Sequence, residues 1–318
     1  MVRRLLIDCD PGIDDAVAIY AALASDSVTV EGITTVYGNV PVRQATRNVA
    51  RLLDVLAQPP SVPIGEGAEQ PLTVSRLPRR RLHGRDGLGD LEIPVVPVPN
   101  PLVESGSLMT GLLKAHALDE IVALGPLTNL AHLFASAPTF LGRLQRMSVM
   151  SGVLVNAGNP TATEFNLASD PAAARCVLDS NVPLRWIPLN VAASVVIPQG
   201  AIDRFRAAHP HSRVASTIAE LLSFTARTRG REGLPAASAA QAGAVVPDAV
   251  ALALAVDPSL GVWRFRRLVL ATRTRLGRLG IESGVPNAQL CEAVDGQRTM
   301  AALWNMWSRV VERDALTS

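Results

Sequence analysis

Four aspartates lie within eight residues near the start of the chain, in the stretch LLIDCDPGIDDAVAI: Asp8, Asp10, Asp14 and Asp15. Side chains alternate along a strand, so we expect Asp8 and Asp10 to share one face, with the other two in the first turn of the next helix. Capping and the helix dipole account for one or two such acids. Four converging carboxylates repel one another, and a divalent cation would remove that repulsion. Carboxylate ligands favour calcium or magnesium over zinc.

Two other motifs begin with similar letters. An EF-hand loop starting at Asp8 needs Gly at its sixth position and Glu at its twelfth, where this chain has Ile13 and Ile19, so that motif is excluded. A haloacid-dehalogenase-type phosphatase would use Asp8 as nucleophile and Asp10 as acid, with Thr two residues later. Gly12 stands at that position, which leaves the phosphatase as the least favoured alternative.

The elements that must position these acids follow from alternating apolar and helical patterns. Strands are predicted at 3–10, 28–36, 119–125, 144–152 and 183–190, and helices at 14–23, 42–56, 127–137, 170–180 and 297–315. This alternation predicts an α/β fold with an open, mostly parallel sheet and helices on both faces, which we expect to form a single domain over 1–318. Two Pro-, Gly- or Ala-rich stretches, 71–101 and 227–247, are predicted to be long loops.

Polar residues follow several of these strands, where an open α/β sheet binds its ligands. They are Asp8 and Asp10 after the first strand, Asn39 after the second, Thr128 and Asn129 after the third, and the stretch 159–166 after the fourth. The sequence therefore predicts a site along the carboxyl edge of the sheet.

Composition restricts the classes of function. The 318 residues are 48% hydrophobic with a formal net charge of +2, which argues against a nucleic-acid binder that relies on a basic surface. Lys114 is the only lysine, so a phosphate loop ending in Gly-Lys-Ser/Thr is absent. The three cysteines have no metal-ligand spacing, and we expect them to be buried and reduced. No apolar run is long enough to span a membrane, and we expect a cytoplasmic protein.

The pattern D-x-D-P-G-x-D-D-A at 8–16 resembles the signature of the nucleoside hydrolases, the inosine–uridine-preferring family. Five further blocks are similar to those of the family and stand in the same order: GITTVYGNV (32–40), HGRDGLG (83–89), ALGPLTNLA (123–131), TEFNLASDPAAA (163–174) and PDAVALALAVDPSL (247–260). The chain is identified as a member on these blocks.

The resemblance implies an open α/β enzyme that hydrolyses the N-glycosidic bond of ribonucleosides to ribose and free base with a bound calcium ion. It implies calcium ligation by Asp10, Asp15, the backbone carbonyl of Thr128 and Asp248, and a general-base role for Asp10. It also implies a homodimer or homotetramer, with a small ribonucleoside as substrate and neither nucleic acid nor membrane as partner.

The remaining site residues are also carried over from the resemblance. The ribose hydroxyls would be held by Asp14, Asn159, Glu164 and Asn166, with Met150 near the sugar, Asn39 orienting the water and His83 beside the leaving base. Carboxylates suit this chemistry because cleavage passes through a cationic, oxocarbenium-like sugar. In TEFN, an extended backbone is expected to place Glu164 and Asn166 on one face.

Two departures from the family pattern leave the function open. The family usually has histidine before the aspartate matched by Asp248, often as the leaving-group acid, and this chain has Pro247. The segment before Glu164 is one residue shorter than the family pattern, which weakens the match at Asn159. Three hypotheses remain: an active hydrolase of altered base preference, a nucleoside-binding relative with little or no catalysis, and the phosphatase.

Overall fold

The computed structural model describes residues 2–57, 60–73, 82–98, 102–155, 163–228, 243–271 and 277–317. The strands in these residues are β1 (Arg3–Cys9), β2 (Val28–Thr35), β3 (Ile64–Glu66), β4 (Val103–Glu104), β5 (Glu120–Ala123), β6 (Arg146–Met150), β7 (Val153–Leu154), β8 (Leu184–Ile187), β9 (Gly261–Leu270), β10 (Arg278–Glu282) and β11 (Ala288–Val294). The helices are α1 (Ile13–Leu23), α2 (Val42–Asp54), α3 (Ser105–Lys114), α4 (Thr128–Ser136), α5 (Phe165–Ser169), α6 (Pro171–Leu178), α7 (Leu189–Ala192), α8 (Gln199–Ala208), α9 (Arg213–Thr228), α10 (Pro247–Val256) and α11 (Gly296–Thr317), with 3₁₀ turns at Pro138–Arg143 and Pro258–Leu260.

The strands form one sheet in the order β4-β3-β2-β1-β5-β6-β8-β11-β9-β10-β7. All pairs from β4 to β11 are parallel, while β9 pairs antiparallel with both β11 and β10. This confirms the predicted open, mostly parallel sheet. Strand order reverses between β1 and β5, because β2 to β4 extend to one side and β5, β6 and β8 to the other. Such a switch point is where open α/β sheets bind ligands.

Helices cover both faces of the sheet, as predicted. Leu5 and Ile7 of β1 pack into one core together with α1, α9, α10 and α11. Leu6, which points the other way, belongs to a second core formed with α3, α4 and α6. None of the helices in the described residues is both long and apolar enough to cross a membrane.

Helices α1 and α10 bring the acidic residues together. Both are buried on nearly every side, as expected for helices composed mainly of Ala, Val, Ile and Leu. They pack against each other, and the first turn of each carries its acids: Asp14 and Asp15 in α1, and Asp248 in α10. The apolar bodies of the two helices therefore fix the position of carboxylates far apart in sequence.

Three sequence-based expectations differ from the structure. The antiparallel strands β9 to β11 were not predicted, because β9 is arginine-rich and largely exposed and lacks a clear apolar period. Cys9 and Cys291 are buried as expected, but Cys176 is exposed. The 227–247 loop starts later than predicted, since α9 continues to Thr228. The segment 82–98 contains no helix or strand, whereas 74–81, 99–101 and 229–242 lie outside the described residues.

Candidate active site

The site is built around four buried or half-buried aspartates. One carboxylate oxygen from each of Asp14, Asp15 and Asp248 lies within 4.8 Å of the others. Asp10, which follows β1 directly, is 1% exposed and interacts electrostatically with the same group. In each of these four residues, Oδ1 is buried and has no hydrogen-bond partner among the described residues. Unpaired buried oxygens are costly, so this arrangement fits a site for a cation.

Backbone amides hold the other oxygen of two of these carboxylates. The Asn39 amide donates to Asp10 Oδ2 at 2.7 Å, and the Gly12 amide donates to Asp15 Oδ2 at 2.8 Å. The approach of the Asn39 loop requires glycine at 38, because a Cβ on Gly38 would lie 1.8 Å from Asp10 Oδ2. Asp10 and Asp15 are thus fixed through one oxygen and keep Oδ1 for a ligand.

The electrostatics of the cluster point the same way. Burial, reinforced by the neighbouring acids, raises the pKa of the Asp10, Asp15 and Asp248 carboxyls well above the usual range. For Asp248, the largest contribution after burial comes from Asp14. A divalent cation reverses this effect and keeps such carboxyls ionised. Because the free donors are all carboxylate oxygens, the residues fit a hard cation such as calcium.

Asp8 does not join the cluster, which corrects the expectation that Asp8 and Asp10 share one face. Asp8 Oδ1 accepts hydrogen bonds from Thr34 Oγ1 at 2.7 Å and from Asn129 Nδ2 at 2.8 Å. Strand β1 ends at Cys9, so the alternation does not extend to Asp10. The acid that completes the cluster is Asp248, some 230 residues further along the chain.

Thr128 opens α4 beside the switch point and is buried. Its hydroxyl donates to Asp170 Oδ2 at 2.7 Å and lies 3.3 Å from the Tyr37 hydroxyl. Asp170 also caps α6 and accepts the Leu72 amide. The hydroxyl of Thr128 therefore belongs to a buried polar network with Asp170 and Tyr37.

Glu164 caps a helix: its own backbone is extended, as the sequence suggested, but the extended segment ends there because Phe165 and Asn166 are helical. It precedes α5 and accepts hydrogen bonds from the amides of Asn166 (2.6 Å), Leu167 (2.7 Å) and Gly152 (2.7 Å). Burial raises the pKa of the Glu164 carboxyl, although these amides oppose the shift. Oε1 accepts only one of the three bonds and retains capacity for a hydroxyl.

Asn166 lies in the first turn of α5, and its side-chain amide ties that helix to two strand ends. Nδ2 donates to the Leu124 carbonyl at 2.6 Å and the Met150 carbonyl at 3.3 Å, and lies 3.9 Å from Met150 Sδ. This leaves Oδ1 of Asn166 to accept from a ligand. Asn159 lies outside the described residues.

His83 has a defined protonation pattern. Its Nδ1 accepts a hydrogen bond from the Ile13 amide at 3.1 Å, so in the neutral ring the proton is on Nε2. Burial lowers the pKa of His83, although Asp14, whose Oδ1 lies 3.6 Å from Nδ1, opposes the shift. With Nδ1 accepting the Ile13 amide, His83 offers Nε2–H as a hydrogen-bond donor.

These residues line one cleft of about 800 Å³, counting the solvent at its mouth. Of the residues identified from sequence, Asp10, Asp14, Asn39, His83, Met150, Glu164, Asn166 and Asp248 line it. Asp15 and Thr128 are buried and not part of the lining. Sequence analysis did not identify the lining residues Leu82, Leu124, Thr163, Phe165, Leu189, Thr225 and Val245. Leu124, Thr163 and Phe165 stand in the sequence blocks quoted above, whereas the other four lie outside them. Pro247, noted above, is also in the lining.

A buried polar network holds the His83 loop against the fold. Arg51 of α2 is 6% exposed. Its guanidinium donates hydrogen bonds from Nη1 to Asp86 Oδ2 at 3.0 Å and from Nη2 to the Ile93 carbonyl at 2.9 Å. Asn48 Nδ2 donates to the Asp86 carbonyl at 2.7 Å and the Pro11 carbonyl at 3.2 Å. The network therefore connects α2, the loop that carries His83 and the turn that follows Asp10.

Removing the Arg51 guanidinium should destabilise this loop. We expect Arg51→Met to cost about 3 kcal/mol, because Asp86 and the loop carbonyls lose a charged partner. Thermal melting should show the loss directly. The matched control is Arg47→Met, one turn earlier on the same helix and exposed, which should melt within about a degree or two of the parent. Equal melting of the two variants would contradict this role for Arg51.

Fold and site together define a class: an open α/β enzyme whose cleft, at the switch point of the sheet, combines buried carboxylates suited to a hard cation with acceptors for hydroxyl groups. Residues 5–301 match the model of the family described as inosine-uridine preferring nucleoside hydrolase. The chain belongs to this family. The relatives described below are nucleoside hydrolases. The chain is accordingly a glycosidase that cleaves N-glycosidic bonds of ribonucleosides.

The similar proteins carry different base preferences in their names. The pyrimidine-specific ribonucleoside hydrolase RihA of Salmonella paratyphi A is 37% identical over 231 residues, covering 70% of this chain and 71% of its own. The purine-preferring ribonucleoside hydrolase from Gardnerella vaginalis superposes with a TM-score of 0.87 at 26% identity, covering 98% of this chain and 100% of its own. An inosine-guanosine nucleoside hydrolase superposes with a TM-score of 0.83 at 26% identity, covering 98% of this chain and 99% of its own.

Proposed function

We propose that the protein is a calcium-dependent ribonucleoside hydrolase that releases ribose and free base in this cleft. The observation that carries the proposal is the set of four aspartates, each with a buried oxygen lacking a partner, beside the hydroxyl acceptors of the same cleft. Buried charges destabilise the fold unless a cation is bound, so the cluster supports a cation-dependent function. Turnover of a ribonucleoside distinguishes the hydrolase from a nucleoside-binding relative.

The calcium ligands in this proposal are Asp10, Asp15, Asp248 and the carbonyl of Thr128. When bound, the cation lowers the pKa of a coordinated water and binds the sugar diol. Asp14, Glu164 and Asn166 accept hydrogen bonds from the ribose hydroxyls, Met150 packs near the sugar and Asn39 orients the water. Asn159 is kept in the ribose set on the resemblance alone.

The reaction breaks the bond between C1′ and the base nitrogen. Positive charge develops on the sugar and is stabilised by the carboxylates around it. The attacking water forms the new bond to C1′ and gives its proton to Asp10, which acts as general base. His83 contributes a hydrogen bond from Nε2–H on the side of the leaving base.

Removing calcium should destabilise the fold. Because a cation that binds only the folded state stabilises it, we expect one calcium per chain by elemental analysis and a lower melting temperature after chelation. At a free calcium concentration of 100 Kd, the stabilisation is about 2.7 kcal/mol. A protein without divalent metal, whose melting is indifferent to chelator and to added calcium, would contradict the assignment.

Three wider aspects of the proposal concern the compartment, the domain organisation and the oligomeric state. We place the protein in the cytoplasm, since its three cysteines are free, which suits a reducing compartment. The continuous sheet supports a single domain over 1–318. The family resemblance supports a homodimer or homotetramer, which light scattering of the purified protein measures directly.

A further inference from the structure

The walls of the cleft differ in character. Asp10, Asp14, Glu164 and Asp248 contribute four carboxylates, and the described lining residues include no Lys or Arg. No basic side chain among the described lining residues offsets these carboxylates, so the cleft favours positive charge. The other lining residues are mostly apolar: Leu82, Phe165, Leu189, Val245 and Pro247. The hydroxyl of Thr225, also in the lining, donates to the Leu221 carbonyl of its own helix at 3.3 Å.

Neither Pro247, at the position of the family's usual leaving-group acid, nor His83 is placed to give a proton to a departing base. Pro247 has neither an N–H nor a titratable side chain. His83 uses Nδ1 to accept the Ile13 amide, so its single proton is on Nε2. A neutral imidazole can donate a hydrogen bond from Nε2–H, but it does not transfer that proton without becoming an anion. To act as an acid, His83 would need a second proton on Nδ1, which would break the bond to Ile13.

This deficiency matters only for substrates whose base is neutral. When C1′–N breaks in inosine or uridine, the electron pair stays on the base nitrogen and the base departs as an anion unless it is protonated. When the base is already cationic, the same electron pair neutralises it. Water then adds to C1′, its proton goes to Asp10, and the products are ribose, neutral base and one released proton.

Building on the proposed function, we propose that this cleft is suited to N-ribosides whose base carries a positive charge, such as pyridinium ribosides and N7-alkylated purine ribosides. Two independent features support this substrate class. A cationic base departs without the proton that neither Pro247 nor His83 can supply. The carboxylates of the lining, with no Lys or Arg among the described residues, also attract a cationic substrate.

The test compares N7-methylinosine with inosine at a pH below the pKa of the N1–H of N7-methylinosine. There the two substrates differ by one methyl group and one charge, and uncatalysed hydrolysis is subtracted. Protonation of a leaving group is worth roughly a hundred- to ten-thousand-fold in rate, so we expect kcat/KM to be at least about a hundred-fold higher for the cationic riboside. The ribosylpyridinium cation should be cleaved as well. Equal or slower cleavage of N7-methylinosine would overturn the inference.

Two controls separate the possible failures. Nitrophenyl riboside, a neutral substrate with a good leaving group, reports on the ribose half of the site. If nitrophenyl riboside is cleaved but N7-methylinosine is not preferred over inosine, this inference is overturned and the proposed function stands. If no riboside is cleaved, both are overturned. Pro247→His should reduce the preference by restoring an acid, while Pro247→Ala, which removes the ring without adding one, should retain it.

Discussion

Asp10→Asn should lower kcat for ribose release by roughly a hundred- to ten-thousand-fold, the range for loss of a general base. Asparagine keeps the shape of the side chain, and the Asn39 amide can still donate to its oxygen. What disappears is the proton acceptor and one negative charge at the cation. The loss should therefore appear in kcat more than in KM, as measured by steady-state release of ribose.

The control for this variant is Asp8→Asn, two residues earlier and also buried. Asp8 bonds to Thr34 and Asn129 and not to the cluster, so its turnover should fall far less. Melting adds a second readout. Burial and Asp15 raise the pKa of Asp10, which means that its negative charge destabilises the metal-free fold. Without calcium, Asp10→Asn should therefore melt no lower than the parent. With calcium, it should melt lower than the parent because one ligand charge is lost. Near-normal turnover of Asp10→Asn would refute the assigned mechanism.

The second large effect concerns the leaving group. We expect nitrophenyl riboside to be cleaved at least about a hundred-fold faster than inosine or uridine, because nitrophenolate departs readily without a proton whereas the bases do not. The proposed ribose ligands Asp14, Glu164 and Asn166 all line the cleft, so activation of the sugar should be common to these substrates. Parallel measurements of kcat for the three substrates test the difference.

Pro247→His should narrow that difference by raising turnover of inosine. Proline occupies the first helical position of α10, where the backbone N–H makes no intrahelical bond. The helix therefore does not require proline at this position, and we expect it to accept histidine. If the unmodified protein turned over inosine and nitrophenyl riboside equally, a proton donor outside the described lining would have to exist.

Much of the fold could be predicted because local patterns determine it. The strand β1, the turn after it and α1 follow directly from an apolar run, Pro-Gly and an acidic first turn. The same alternation continues through β8, which is why the parallel sheet and a site at its carboxyl edge could be predicted, whereas the strand order and the switch point could not. Strands β9 to β11 could not, since exposed antiparallel strands near a sheet edge keep little apolar period.

The site was predictable where residues are neighbours in sequence and less so where the fold brings them together. Only the family resemblance, not spacing, linked Asp248 to Asp15, and the packing of α1 on α10 is what joins them. Glu164 caps α5 through the nearby amides of Asn166 and Leu167, but its third bond comes from the amide of Gly152, which belongs to another segment. Arg51 reads as an ordinary helix residue, and its burial against Asp86 becomes visible only in three dimensions.

The most direct test of the account is release of ribose from nitrophenyl riboside by the purified protein, followed before chelation, after chelation and after return of calcium. We expect one ribose for each nitrophenol released. The reaction should stop when calcium is removed and recover when calcium is returned. Absence of ribose release from the calcium-loaded protein, or release that continues at the same rate in chelator, would contradict the account.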